Sequence, residues 1–150
     1  MKTITFNKDN TVFQADCKDW RSAVAEAGNI LVKQNCATPN YVDNIIKSIE
    51  EYGPYVVIAD GIAIPHTRPE DGALTKGCGL LTLKKSVFFD GNPTPVNVLI
   101  SFSAVDKDSH IDILQEVVGF INEGLIEDIA HAKNFDEFLQ ITERSREPQA

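Results

Sequence analysis

Apolar and polar positions alternate over residues 11–15, TVFQA, and with a β-branched residue at Val12 this predicts a first strand. From Asp19 the period changes. Trp20, Ala23, Val24, Ala27, Ile30 and Leu31 recur at three and four residues, which draws one apolar stripe along a helix ending near Gln34. Thr38 followed by Pro39 is an N-cap with proline at the first helical position, so a second helix follows. Its buried stripe is expected to be Tyr41, Ile45, Ile49 and Tyr52, with Gly53 and Pro54 as the stop. Tyr55 to Ile64 then forms an apolar region, YVVIADGIAI, whose glycine divides it into two short strands.

Further strands are expected at Gly77–Lys84 and, after two lysines and Ser86, in the short apolar piece Val87–Phe89. Asp90 to Pro93 turns the chain. Val96–Val105 is the longest continuous apolar strand, which makes it the candidate for the centre of the sheet. It leads through the polar loop DKDSH into a helix with Ser109 and Asp112 spaced as a capping box and Ile111, Leu114, Val118 and Ile121 as its buried stripe. Leu125–Ala132 and Phe135–Arg144 read as closing helices, and the tail SREPQA is expected to be loose. The fold class that follows is α/β: a single domain over 1–150, with a mixed sheet of about five strands flanked by helices on both sides.

Composition adds limits rather than detail. With 150 residues, 43% apolar and 24% charged, the chain suits one ordinary globular core. Its net charge of -8, from 22 acidic and 14 basic residues with no run of lysine and arginine, disfavours nucleic acid and anionic lipid as partners. No apolar run approaches the ~20 residues of a membrane-spanning helix, and the start, MKTITFNKDN, lacks the apolar segment of a signal peptide, so a cytoplasmic location is expected. Cys17, Cys36 and Cys78 are widely spaced without a CxxC, which suits reduced structural thiols better than disulfides or zinc.

Candidate chemistry concentrates in GIAIPHTRPEDG, residues 61–72. Pro65 ends the strand, because proline offers no ladder N–H, and His66 is the first side chain beyond that end. Ligands of α/β sheets bind outside such strand ends. A histidine there, followed by the Thr67 hydroxyl and the Arg68 guanidinium, suits an anion. A surface-loop histidine without a role is the alternative. His110 falls at the start of a helix that itself follows a strand, so the two imidazoles share one edge of the sheet if their strands are neighbours. The helix start adds free N–H groups and a partial positive charge that attract an anion. No nucleotide-binding loop of the GxxxxGK[ST] kind and no GxSxG elbow occurs. A metal set of His66, His110 and Asp106 or Asp108 is conceivable, but the adjacent Arg68 opposes it electrostatically. His131, between Ala130 and Ala132, reads as a surface histidine.

The stretches GPYVVIADGIAIPHTRPEDG, LTLKKSVFF and VNVLISFSAVDKDSHIDILQEVV resemble the IIA component of the bacterial phosphoenolpyruvate-dependent sugar phosphotransferase system, in the mannitol/fructose-type superfamily. The form PHxRPEDG with GPY upstream is most similar to the ascorbate-type branch. The resemblance implies a phosphocarrier: His66 accepts a phosphoryl group from the phosphohistidine of the carrier HPr and passes it to a cysteine of a IIB protein, which serves uptake through a membrane-bound IIC. It maps the phosphorylated histidine to His66 and the assisting one to His110. No metal or nucleotide is required, since phosphoryl transfer between side chains rests on positioning and charge stabilisation. Thr67 is a candidate hydrogen-bond donor.

Mannitol-type relatives carry an arginine on the helix before the PH strand, and that position falls near Glu50 here, with no arginine nearby. Arg68 is the candidate replacement, able to clamp phosphate oxygens bidentately; alternatively it pairs with Glu70 or Asp71 across the turn. The rival readings are a regulatory protein of the same fold, resembling the nitrogen-related IIA, and a histidine metal-binding module.

Overall fold

The computed structural model describes residues 5–106, 108 and 110–145. A short 3-10 turn, Lys8–Asn10, is held by Asn7, whose side chain accepts from Asp9 N and Asn10 N, and it launches strand β1, Thr11–Ala15. Helix α1, Trp20–Lys33, starts at Asp19: its carboxylate accepts from the Ser22 N–H at 2.9 Å while Ser22 Oγ accepts from the Asp19 N–H at 3.3 Å. All of its expected stripe is buried. Helix α2, Pro39–Tyr52, begins at the Thr38 cap with proline at its first position. Tyr41, Ile45 and Ile49 are buried as expected, but Tyr52 is 74% exposed. Ile49 is the last stripe residue to reach the core. At Gly53 (φ 88) the chain leaves the helix, and Tyr52 is left on the rim of the cavity described below.

Strands β2, Val57–Ala59, and β3, Gly61–Ala63, form an antiparallel hairpin whose turn needs the positive φ of 83 that Gly61 supplies. Strand β4 runs unbroken over Gly77–Phe88, 12 residues, where two pieces were expected. The division is a bulge: pairing with β5, Pro95–Ser103, holds from Gly77↔Ser103 to Thr82↔Val98 and resumes at Val87↔Val96, leaving Lys84, Lys85 and Ser86 exposed. The sheet is five-stranded in the order β1-β4-β5-β3-β2, with β5 central as its apolar run predicts. β1 is parallel to β4, β4 antiparallel to β5, β5 parallel to β3 and β3 antiparallel to β2.

Helix α3, Ile111–Asn122, buries Ile113, Glu116, Val117 and Phe120. The stripe expected there is turned outward. Ile111 and Val118 are exposed, and Leu114 and Ile121 are only half-buried. Apolar residues occupy both sets, so spacing alone allowed either rotation, and burying Phe120 removes more apolar surface. The N-cap residue is His110, which makes no side-chain cap bond; Ser109 of the expected capping box lies outside the described residues. Helices α4, Ile126–His131, and α5, Phe135–Ser145, close the fold, and the rest of the expected loose tail also lies outside the described residues.

Helices α1 and α2 cover one face of the sheet, over Leu81, Leu83, Val96 and Leu99, while α3 to α5 cover the other, over Leu80, Val98, Ile100 and Phe102. Neighbouring residues of β4 and β5 thus serve opposite cores, the mark of strands buried on both sides. The cysteines are free thiols; burial pushes Cys78 up to about 12 and Cys17 up to about 11, which leaves both poorly nucleophilic.

One non-glycine residue takes a left-handed backbone inside a strand. Gln14, at φ 58, sits at the register shift of β1, where its N–H donates to Thr82 Oγ1 at 2.9 Å and its Nε2 donates to Ala130 O at 2.8 Å and Ala132 O at 2.9 Å. The amide side chain therefore closes carbonyls at the end of α4 and ties that helix to the sheet edge. Gln14→Ala should cost about 2 kcal/mol in denaturant unfolding, from the two lost side-chain hydrogen bonds. Gln14→Gly, which relieves the strain, should cost about 1 kcal/mol less than the alanine; equal losses would show that the backbone is unstrained.

Candidate functional site

The site grows from the end of β3. Ile64 N donates to Val56 O at 2.8 Å, and Phe102 N donates to Pro65 O at 3.2 Å, so pairing with β5 continues past the formal strand before the chain turns away at His66. The His66 ring is half-buried and tied down on several sides. Its Nδ1 lies 2.7 Å from Ile64 O. A carbonyl can only accept, so Nδ1 carries the hydrogen and the neutral ring keeps its lone pair on Nε2. The ring stacks on Phe102 at 4.6 Å and 17°, and Tyr55 stands perpendicular to it at 5.5 Å and 88°. The His110 ring lies nearly parallel to the same phenylalanine, at 5.4 Å and 11°, with its Nδ1 buried and unpaired. The two histidines thus meet on one aromatic residue of β5, as neighbouring strands would require.

His66 holds its proton less tightly than an ordinary histidine. Burial is the main cause, the bond to Ile64 O opposes it, and the neighbouring His110 adds to it. Both histidines line a cavity of about 880 Å³ between α2 and the start of α3. Its lining also includes Asn44, Lys47, Ser48, Glu51 and Tyr52 of α2, Thr67, Arg68 and Asp71 after His66, and Ala104, Asp106 and Leu114.

All four candidate residues therefore face one space, but not equally free. The Thr67 hydroxyl donates to Asp71 Oδ2 at 2.7 Å and lies 3.3 Å from Ser48 Oγ, so its proton is already engaged. Arg68 is 74% exposed and pairs with Glu70 at 3.4 Å and Asp71 at 3.6 Å, the alternative pairing that the sequence allowed. Glu50 does not face the cavity; it binds Arg21 of α1 at 3.1 Å. The cavity's α2 cation is instead Lys47, one turn earlier, which spacing from the PH motif did not single out. The sequence places Tyr41 in the core stripe of α2, yet its hydroxyl donates to Phe102 O at 2.8 Å and accepts from Thr67 N at 3.3 Å. The continuous apolar run of β5 does not single out Phe102, whereas the GPY segment was the signal for Tyr55. His131 lies outside the site, exposed at the end of α4 with its Nδ1 2.7 Å from Glu127 O. Among the described residues no cluster could hold a metal ion, and no helix is long and apolar enough to cross a membrane.

A half-buried histidine at a parallel strand end, with a second histidine and the cations Lys47 and Arg68 lining the same cavity, is an arrangement that can present one imidazole nitrogen to an anion. The comparison with known proteins assigns the family. Residues 4–145 match the model described as phosphoenolpyruvate-dependent sugar phosphotransferase system, EIIA 2, and the chain belongs to that family. It is 37% identical over 128 residues to the mannitol-specific cryptic phosphotransferase enzyme IIA component of Escherichia coli K12, covering 85% of this chain and 87% of that one. It is 36% identical over 135 residues to the ascorbate-specific EIIA component of the same strain, covering 88% of each. The solution structure of the mannitol-specific cryptic IIA from Escherichia coli superimposes with a TM-score of 0.80 at 34% identity, covering 93% of this chain and 95% of that one. The five-stranded mixed sheet with helices on both faces is thus a IIA fold.

The lowered proton affinity of His66 fixes a pH dependence. Below about 6.5 an unfolded histidine takes up a proton that folded His66 resists, so its contribution to stability is complete above that pH and is lost as pH falls through the lower folded value. Nitrogen-15 spectra of the ring should place its titration below 6.5, with Nδ1 protonated in the neutral form; a midpoint above 6.5 would contradict the buried setting.

Proposed function

We propose that the chain acts as one EIIA domain, a cytoplasmic phosphocarrier that takes a phosphoryl group from phospho-HPr on His66 and hands it to a cysteine of a cognate IIB protein. The observation that carries this reading is the 2.7 Å contact between His66 Nδ1 and Ile64 O, which leaves Nε2 as the nucleophilic nitrogen. In the first step the Nε2 lone pair forms the new N–P bond as the P–N bond of the donor breaks and its electron pair returns to the donor imidazole. In the second, the thiolate of IIB forms an S–P bond as the N–P bond on His66 breaks. His66 keeps its Nδ1 proton on Ile64 O throughout, so neither step needs a general base on this chain.

His110 supports the charge of the transferring group. With Nδ1 buried and unpaired, the tautomer that leaves a lone pair there, rather than an orphan N–H, puts the proton on Nε2 as a donor to a phosphoryl oxygen. Arg68 is a candidate phosphate clamp, since its exposed ion pairs hold it weakly and can be exchanged for a phosphoryl oxygen. Thr67, with its proton on Asp71, contributes by shaping the turn. Ascorbate as the sugar served rests on resemblance to the ascorbate-type branch alone; selection of the sugar itself falls to the membrane-bound IIC component.

The test is incubation with phosphoenolpyruvate, enzyme I and HPr, followed by intact mass and site mapping under conditions that preserve phosphohistidine. One acid-labile phosphoryl group on His66 is expected, and none on the His66→Ala variant. His110→Ala should still be labelled, at a rate about 100-fold lower, the scale of losing one preorganised donor. Equal and complete loss in both variants would overturn this division of roles, and absence of label on folded wild-type protein with active HPr would overturn the carrier reading.

A further inference from the structure

We propose that Tyr55 is a positioning residue for phosphoryl transfer, one that locks the His66 backbone and imidazole in the attacking geometry; the proposal rests on the phosphocarrier reading of the same site. Tyr55 is set just past the end of α2. Its N–H donates to Gly53 O at 2.8 Å and Val57 N donates to Pro54 O at 3.1 Å, so a short turn fixes where the phenol emerges. From there the hydroxyl donates to His66 O at 2.6 Å, and the ring stands perpendicular to the imidazole.

That bond completes a series. Ile64 O receives His66 Nδ1, Pro65 O receives Phe102 N, and His66 O receives the Tyr55 hydroxyl, so successive carbonyls across the end of the strand each have a donor. The first two are consequences of the sheet and of the histidine itself. Only the third comes from a side chain outside the strand pair, and it acts where the chain turns away from β5, one residue before the Thr67 N–H is held by the Tyr41 hydroxyl at 3.3 Å. Phe102 bounds one face of the imidazole and Ile64 O holds Nδ1; Tyr55 closes off the perpendicular direction, so a ring flip, which would put Cδ2 where Nδ1 stands and lose the bond to Ile64 O, would have to sweep past both aromatic rings. Burial raises the affinity of Tyr55 for its proton, which keeps the hydroxyl a donor through the neutral range. Tyr55 is also 40% exposed, so trimming it opens no core cavity, unlike Tyr41.

Tyr55→Phe removes the hydroxyl and keeps the ring; Tyr55→Leu removes both. Phosphoryl acceptance from phospho-HPr should show a limiting rate about 10-fold lower in the first and about 100-fold lower in the second, the scale of a small misplacement of a reacting group. The HPr concentration for half-maximal rate should stay within about twofold, since positioning acts after docking. In parallel, nitrogen-15 spectra of the unphosphorylated proteins should show one dominant His66 tautomer in wild type and a mixture in the variants. A change confined to the half-maximal concentration would make Tyr55 a docking residue, and unchanged rates and tautomer would remove its role; either overturns the proposal. Should Tyr55→Leu fail to fold, Tyr55→Phe decides alone. Wild-type protein that takes no label refutes the carrier reading, whereas an unperturbed tautomer in the variants refutes the lock.

Discussion

The parallel pairing of β3 with β5 is the constraint on which the site depends. Gly61, Ile62 and Ala63 lie beside Val96, Val98 and Leu99, and the bond from Phe102 N to Pro65 O carries the alignment two residues further. Because the strands run the same way, both end at one edge of the sheet, and whatever follows each of them meets there. After β3 comes His66; at the end of β5 comes Phe102, and after it the start of α3 with His110. Either strand reversed would send one histidine to the opposite edge. The pairing itself needs the tight hairpin at Gly61, which returns β3 between β2 and β5, and the burial of β5 on both faces, which fixes its register.

Much of this order is legible in the residues. Caps such as Asp19 and Thr38-Pro39 satisfy backbone groups locally, so helix starts can be read without knowing the tertiary fold. The central position of β5 follows from an apolar run that only a strand covered on both faces can accommodate. What failed did so where two solutions have similar local signals. In α3 the sets Ile111, Leu114, Val118, Ile121 and Ile113, Val117, Phe120 both make apolar stripes, and the choice is settled by contacts with the sheet. In β4 the polar run Lys84 to Ser86 reads as an interruption, whereas a bulge lets those residues face water while the strand continues.

The candidate site divides the same way. His66 and His110 stand at element ends that the sequence marks, and both line the same cavity. Phe102, Tyr55, Tyr41 and Lys47 act through approach of elements distant in sequence, and their types fit ordinary core or surface positions equally well. Arg68 shows the converse. Its spacing from His66 suggested a phosphate contact, but Glu70 and Asp71 follow it immediately and compete for the guanidinium.

The same burial that keeps His66 neutral bears on what a carrier must do. Desolvation that disfavours an imidazolium also disfavours a phosphoryl dianion on that ring, and the cavity wall adds the carboxylates of Glu51, Asp71 and Asp106 against the cations of Lys47 and Arg68. On the phosphocarrier reading, the phosphorylated state is therefore held by placement more than by charge neutralisation. A site that bound the phosphoryl group tightly would lower the ground state and raise the barrier to passing it on, because only interactions stronger in the transition state speed transfer. A caged, neutral imidazole with a fixed tautomer instead lowers the ordering that each transfer requires while leaving the group easy to release.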